Sequence, residues 1–314
     1  MKLLMSFGKH QNALDASELR ADLVRFKPHV YVKETILLTP DRRLPIIAFQ
    51  NKRIKDGRKS PEEKKSQMHD IAKAFREEDW VEFKVEEYSI VADSQVRWMH
   101  NVEDYPQEQI QRMAAAGLCH TRMGGIILSF VSRGDFGYAM GLAEQELRGF
   151  KLLVKDRNKR IVRGIMEMEK ELPNLALDEE LRVLCRFGLT HKEISVQLKE
   201  KLGESVELVR YPKVNRYVEL LSDPNPGISK DDLVYYMFYC LYNDFVDTQF
   251  GVDFEKSVRI EEEVFRQLGG SAGFLERMEK ALNLGMEGGG VDLRVVQNKF
   301  IENLKEVYEK TLNG

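Results

Sequence analysis

The first third of the chain alternates between two hydrophobic periods. Lys2 to Phe7 is a short apolar run of strand length, and Gly8, Lys9 and His10 form its exit loop. Leu19, Leu23 and Phe26 then recur on one helical face. Asp15 and Glu18 have cap-like spacing before that stripe, and Pro28 stops it. His29 to Lys33 reads as a second strand through Val30 and Val32, with Glu34 at its far end. Strand, helix, strand is a βαβ unit. Because such crossovers make strands parallel, His10 and Glu34 are expected at the same carboxyl edge of a sheet, where open α/β sheets place their ligands.

The same pattern returns late, in LRVLCRFGLTHKEISVQLKEKLG, residues 181–203. Leu181, Val183, Leu184, Cys185 and Phe187 predict a buried strand, Gly188 a sharp turn, and Ile194, Leu198 and Leu202 an amphipathic helix. Thr190 and Glu193 have capping-box spacing, which puts His191 at the first helical position. There the helix dipole disfavours imidazolium and favours a neutral ring able to accept a proton or bind a metal. The segment GLTHKEI also reads as the entry to a helix-turn-helix, hence to a nucleic-acid binder. That motif needs a helix before the turn, whereas LRVLCRF reads as a strand, and no basic recognition helix follows. Ser205 to Tyr211 predicts a closing strand.

Between these blocks the pattern is weaker. A short strand is expected at Pro45 to Phe49, a solvated loop at Gly57 to Ser66, a helix at Met68 to Glu77 and a strand or hairpin at Val81 to Ala92. Pro106 opens a helical region that SRGDFG interrupts at 132–137. Helices resume at Tyr138 to Leu147 and at Phe150 to Leu172. In the last of these, Arg157 lies four residues from both Leu153 and Ile161, so it shares their apolar stripe and should point partly inward, where it needs an anionic partner or substrate. After Tyr211 the chain reads as helical. The aromatic cluster Tyr235, Tyr236, Phe238, Tyr239 and Tyr242 suits a core or an oligomer interface, and GMEGGG at 285–290 reads as a hinge. The expected fold class is α/β: a mostly parallel sheet with flanking helices and a helical insertion near 106–172, occupying residues 1–211, followed by a helical C-terminal region, 212–314.

Composition adds limits rather than a function. With 314 residues and 43% hydrophobic content the chain can build one large domain or two smaller ones. A net charge of -3 gives no global case for nucleic acid or an anionic membrane. The N-terminus lacks a signal peptide's hydrophobic region, and no stretch is apolar for long enough to span a bilayer. Cys119, Cys185 and Cys240 are dispersed in apolar surroundings and read as free thiols in a reducing compartment, so the cytoplasm is the expected location.

No CxxC pair, HExxH, GxSxG or phosphate loop is present. What remains is a dispersed constellation: His10, Glu34 and His191 on expected sheet ends, and Arg157 as an inward cation. His100, after Trp98, has neither strand context nor a carboxylate pattern and ranks below His10. Two mechanisms fit. In one, His10 is general base toward water, Glu34 assists, His191 is a second acid/base and Arg157 stabilises an oxyanion or a substrate carboxylate. In the other, His10, Glu34 and His191 hold a divalent metal that activates water.

The order of these motifs resembles the superfamily of TraB/TIKI, ChaN and erythromycin-esterase proteins. The resemblance covers about residues 2–211 and rests on the glycine and histidine loop after the first strand, PHVYVKE, the arginine of the RNxxI helix and the strand entering GLTH. It implies an α/β fold with an inserted helical portion and a cleft lined by His10, Glu34, Arg157 and His191. Many members have GxxH or GExxH at the first site, whereas Gly8 and His10 are separated here by one residue. The function expected is a hydrolase acting on a small-molecule or peptide substrate with an ester or amide bond, with a divalent metal as its candidate cofactor. The alternatives are a non-catalytic ligand-binding or assembly protein, with a homo-oligomer built through the C-terminal helices, and the helix-turn-helix reading.

Overall fold

A computed structural model describes residues 1–8, 13–34, 41, 47–48, 51–52, 90–91, 93–172, 180–210, 214–223, 225, 227–246, 254–286 and 293–313. Two compact units emerge: Met1–Ile110 with Asp156–Pro212, and Gln111–Lys155 with Lys213–Gly314. The helical segment expected as an insertion in the first domain is therefore divided. Residues 111–155 group with the C-terminal helices, and the rest stays with the sheet.

The first unit is built on five parallel strands. They are β1 (Lys2–Gly8), β2 (Val30–Lys33), β3 (Trp98–His100), β4 (Arg182–Gly188) and β5 (Val206–Arg210), in the spatial order β3-β2-β4-β1-β5. The expected α/β class is what the chain adopts. β1 and β2 are not neighbours, because β4 inserts between them. The route from β1 to β2 thus runs one way across the sheet and the route from β4 to β5 the other, so right-handed crossovers put their helices on opposite faces.

Helix α1 (Ala13–Phe26) covers one face, with Ala16, Leu19 and Leu23 packed in one cluster with Leu4, Tyr31 and Leu184. Each buried leucine contributes about 2 kcal/mol of transfer free energy. The helix begins at Ala13, so Asp15 lies within it rather than before it. It ends where Lys27 takes a left-handed conformation, φ 51°, with Pro28 directly after. On the other face Leu3, Met5, Phe7, Val32, Cys185 and Phe187 are equally buried. Burial on both faces is why β1 and β4 read as near-continuous apolar runs.

Strand β3 at the sheet edge was not expected. Its Met99 is paired by a side chain: Asn51 Nδ2 donates to Met99 O at 2.7 Å and Asn51 Oδ1 accepts from Met99 N at 2.7 Å. Ile47, Ala48, Asn51 and Lys52 are helical, so the short strand expected at 45–49 is not formed there. The expected loop at 57–66 and helix at 68–77 lie outside the described residues. So does the strand at 81–92, except for Ile90 and Val91, which are helical.

Helix α2 (Gln107–Val131) begins directly after Pro106, as expected, and α3 (Phe136–Glu171) follows as one unbroken helix where two were expected. After β4 comes a single 3-10 turn, Leu189–His191, then α4 (Glu193–Leu202). Gly188 and Lys192 stand at the two starts, and neither supplies a side-chain cap. His191 closes the 3-10 turn instead of opening the helix.

The second unit contains most of α2, the first part of α3, and helices α5 (Arg216–Ser222), α6 (Lys230–Val246), α7 (Phe254–Gln267), α8 (Gly270–Met286) and α9 (Leu293–Asn313). The turn expected before α6 is a reciprocal cap: Ser229 Oγ accepts from Asp232 N at 3.1 Å and Asp232 Oδ2 accepts from Ser229 N at 3.2 Å. The aromatic cluster of α6 is core. Tyr235, Tyr236, Phe238 and Tyr242 are buried, Tyr239 stacks on Tyr217 with centroids 3.9 Å apart, and Phe238, Phe274 and Phe300 meet edge to face. No described helix is long and apolar enough to cross a membrane.

Candidate active site

Three strand ends and one helix bring polar side chains to the carboxyl edge of the sheet. Glu34 follows β2, and its N–H still donates to Arg186 O at 3.0 Å, which holds the residue in line with the strand. Glu103 and Tyr105 follow β3. Gly188 ends β4 and His191 closes the turn after it. Arg157 and Asn158 come from α3. That helix approaches closely because Gly164 has no side chain: a Cβ there would stand 2.3 Å from Val102 O, in the segment that carries Glu103.

Arg157 joins two carboxylates. Its Nη2 donates to Glu34 Oε1 at 2.7 Å and to Glu103 Oε1 at 2.8 Å, and its Nε donates to Glu103 Oε1 at 3.0 Å. Tyr105 adds a donor to the same Glu103 oxygen at 3.2 Å. The Glu103 side chain is fully buried, while those of Glu34 and Arg157 are 19% and 20% exposed. Burial works to weaken the guanidinium's hold on its proton. Glu103 and then Glu34 outweigh it, leaving Arg157 above its ordinary range. Burial, followed by Glu103, also raises the Tyr105 phenol, which stays a neutral donor.

Glu34 is held from three sides. Besides Arg157, its Oε2 accepts from Gly188 N at 2.6 Å and its Oε1 meets His191 Nε2 at 3.2 Å. His191 is itself buried, and its Nδ1 lies 2.6 Å from Asn158 Oδ1. Two arrangements satisfy both ring nitrogens: an imidazolium donating to Glu34 and Asn158, or a neutral ring with the Asn158 amide turned so that its NH2 faces Nδ1. Asn158 Nδ2 has no hydrogen-bond partner among the described residues, and turning the amide brings it onto the histidine.

Of the four residues expected at the site, Glu34, Arg157 and His191 converge, and His10 lies outside the described residues. The anionic partners expected for Arg157 are Glu34 and Glu103. Glu103, Tyr105 and Asn158 were missed. Asn158 adjoins Arg157 in sequence, and Glu103 sits just past the end of β3 as Glu34 does past β2, but without recognising β3 there was no edge to assign it to. His100 is buried and stands 3.6 Å from Glu171. Among the described residues no group of three His, Cys, Asp or Glu side chains is placed to hold a metal ion. Glu34 and His191, two of the three expected ligands, are engaged with each other, and Arg157 occupies the same Glu34 oxygen.

A helix-turn-helix has a helix before its turn, whereas GLTHKEI follows β4, the central strand of the sheet. No family model matches this chain, and neither a curated protein nor a solved structure does.

Proposed function

We propose that the chain is a hydrolase of ester or amide bonds, with Glu34 as the carboxylate that activates water and Arg157 as the donor to the developing oxyanion. One observation carries this reading: a carboxylate and a guanidinium in direct contact both keep a solvent-facing part, while Glu103 and His191 behind them are buried. The Glu34 and Arg157 side chains are 19% and 20% exposed, so water and a substrate carbonyl can approach the two together. The contacts of Arg157 use Nε and Nη2. Nη1 takes no part in these bonds to the carboxylates, and it is not one of the sealed polar atoms.

In this scheme water attacks the carbonyl carbon as Glu34 takes its proton, and the oxyanion that forms accepts from Arg157 Nη1. The tetrahedral adduct collapses, the bond to the leaving oxygen or nitrogen breaks, and Glu34 returns the proton to it. His191 is too buried to touch substrate. Its part is to fix Glu34 from below, with Asn158 fixing His191 in turn, which moves it from the expected acid/base to a positioning residue. His10, expected as the general base toward water, lies outside the described residues, and in this scheme Glu34 takes that role. The resemblance to the TraB/TIKI, ChaN and erythromycin-esterase superfamily supports the same set of residues.

The test is turnover of a panel of esters, anilides and peptides, with and without divalent metals and chelator. Glu34→Gln should lower kcat by about 10²–10⁴-fold in a folded protein. No turnover of any substrate by the wild type, or full activity in Glu34→Gln, rejects the proposal. Activity that appears only with added metal replaces it by the metal-dependent scheme through His10, Glu34 and His191. Saturable binding without turnover favours the ligand-binding alternative.

A further inference from the structure

The residue before Glu34 points to a second site. Lys33 is the last residue of β2, and its side chain falls on the face opposite to that of Glu34, the face that α1 covers through Tyr31, Leu184 and Leu4. In the parallel register Lys33 stands beside Arg186 of β4, and Arg186 beside Ser6 of β1. Three adjacent strands thus present lysine, arginine and serine in one row, two positions below the ends of β1 and β4.

Both cations are buried, Lys33 to 6% exposure and Arg186 to 1%. Arg186 is compensated. Its Nη1 donates to Ser6 Oγ at 3.0 Å, Ser6 donates to Asp22 Oδ2 at 2.8 Å, and the carboxylates of Asp22 and Glu18 stand 3.8 and 3.9 Å from the guanidinium. Lys33, among the described residues, has neither a hydrogen bond nor an ion pair, and its ammonium is not one of the sealed polar atoms, so it keeps a solvent-facing part.

Lys33, mostly buried and without a counter-ion among the described residues, stands beside a second cation at the neighbouring strand position, and like charges side by side repel. An anion at the end of the lysine offsets that repulsion. The place is also where the crossovers from β1 and β4 depart in opposite directions, which opens a crevice at the carboxyl edge of an α/β sheet. We propose that Lys33, with Arg186 beside it, forms an oxyanion subsite for a phosphate or carboxylate group on the α1 side of that edge. The sheet separates this subsite from the Glu34 cluster, and the inference stands apart from the hydrolase reading.

Titration calorimetry of the full chain with sodium phosphate and with sodium acetate, at ionic strength held constant by chloride, tests the proposal. Saturable binding of at least one anion is expected, and the anion that binds identifies the group. Lys33→Met should weaken it about tenfold, the loss of one charge-assisted contact. Lys199→Met, at an exposed lysine of α4, should leave it unchanged. No saturable binding by the wild type, or undiminished binding by folded Lys33→Met, overturns the subsite. If Lys33→Met does not fold, protection of the wild type decides: the bound anion should slow acylation of Lys33, read by peptide mass spectrometry, without slowing that of Lys199. Equal rates at Lys33 with and without anion also overturn it.

Discussion

Replacing Arg157 by methionine tests the charge arrangement on which the candidate site depends. The substitution keeps most of the side-chain volume and removes three hydrogen bonds to two carboxylates. Glu103 has no solvent-exposed side-chain surface to relieve its charge, whereas Glu34 is 19% exposed. Removing one member of a buried ion pair costs about 3–5 kcal/mol, because the other charge is left uncompensated. The partial exposure of Glu34 and Arg157 places the expected loss at the low end, about 3 kcal/mol. Adding Glu103→Gln should return about 1–2 kcal/mol by removing the stranded charge, although the amide introduced there gains no new partner. Urea unfolding followed by tryptophan fluorescence measures this, since Trp80 and Trp98 both lie in the 1–110 stretch of the first unit. A loss below about 1 kcal/mol for Arg157→Met, or a double variant no more stable than the single one, would falsify the electrostatic account.

Three further outcomes follow from the same structure. Gly164→Ala, which raises helix propensity by about 1 kcal/mol, should nonetheless destabilise the first unit, because the new Cβ meets Val102 O; a rise in its unfolding midpoint contradicts the close approach. Burial raises the Glu146 carboxyl above its ordinary range, and one of its oxygens is sealed without a partner among the described residues. A raised folded-state pKa gives stability that is present below the unfolded value and lost as pH rises through the folded one. Glu146→Gln should therefore stabilise the second unit at neutral pH and lose that advantage on acidification, and a stabilisation that is constant with pH would count against this. Cys185 is fully buried and its thiol is pushed well up by that burial, so iodoacetamide should leave it unlabelled in the native chain and label it after denaturation; native labelling at the rate of a free peptide thiol contradicts this.

The sheet was legible wherever the chain spends consecutive apolar residues on a strand. β1, β2, β4 and β5 were located to within about two residues at each end, as boundary reading allows, and Glu34, Arg157 and His191 were identified as a set because two lie just past strand ends and one shares an apolar helical stripe. β3 was not legible. It has three residues, and the Met99 backbone on its outer side is paired by Asn51, a side chain 48 positions away. The missing strand hid Glu103 and Tyr105.

Sequence by itself determined the α/β class, the alternation of strand and helix at both ends of the first unit, the residues of the polar cluster that strands and stripes announce, and an aromatic cluster on α6 suited to a core or an interface. Those features arise from local periodicity and from which residues avoid water. Only the tertiary structure decided that β4 inserts between β1 and β2, that Arg157 is held by two carboxylates rather than one, and that His191 supports Glu34 from a buried 3-10 turn. Strand order, the second carboxylate and the depth of a histidine are set by contacts between residues far apart in the chain, and no local pattern encodes them. Lys33 shows the division at one position: its place at the end of a strand was readable, whereas the arginine beside it came only with the register of the sheet.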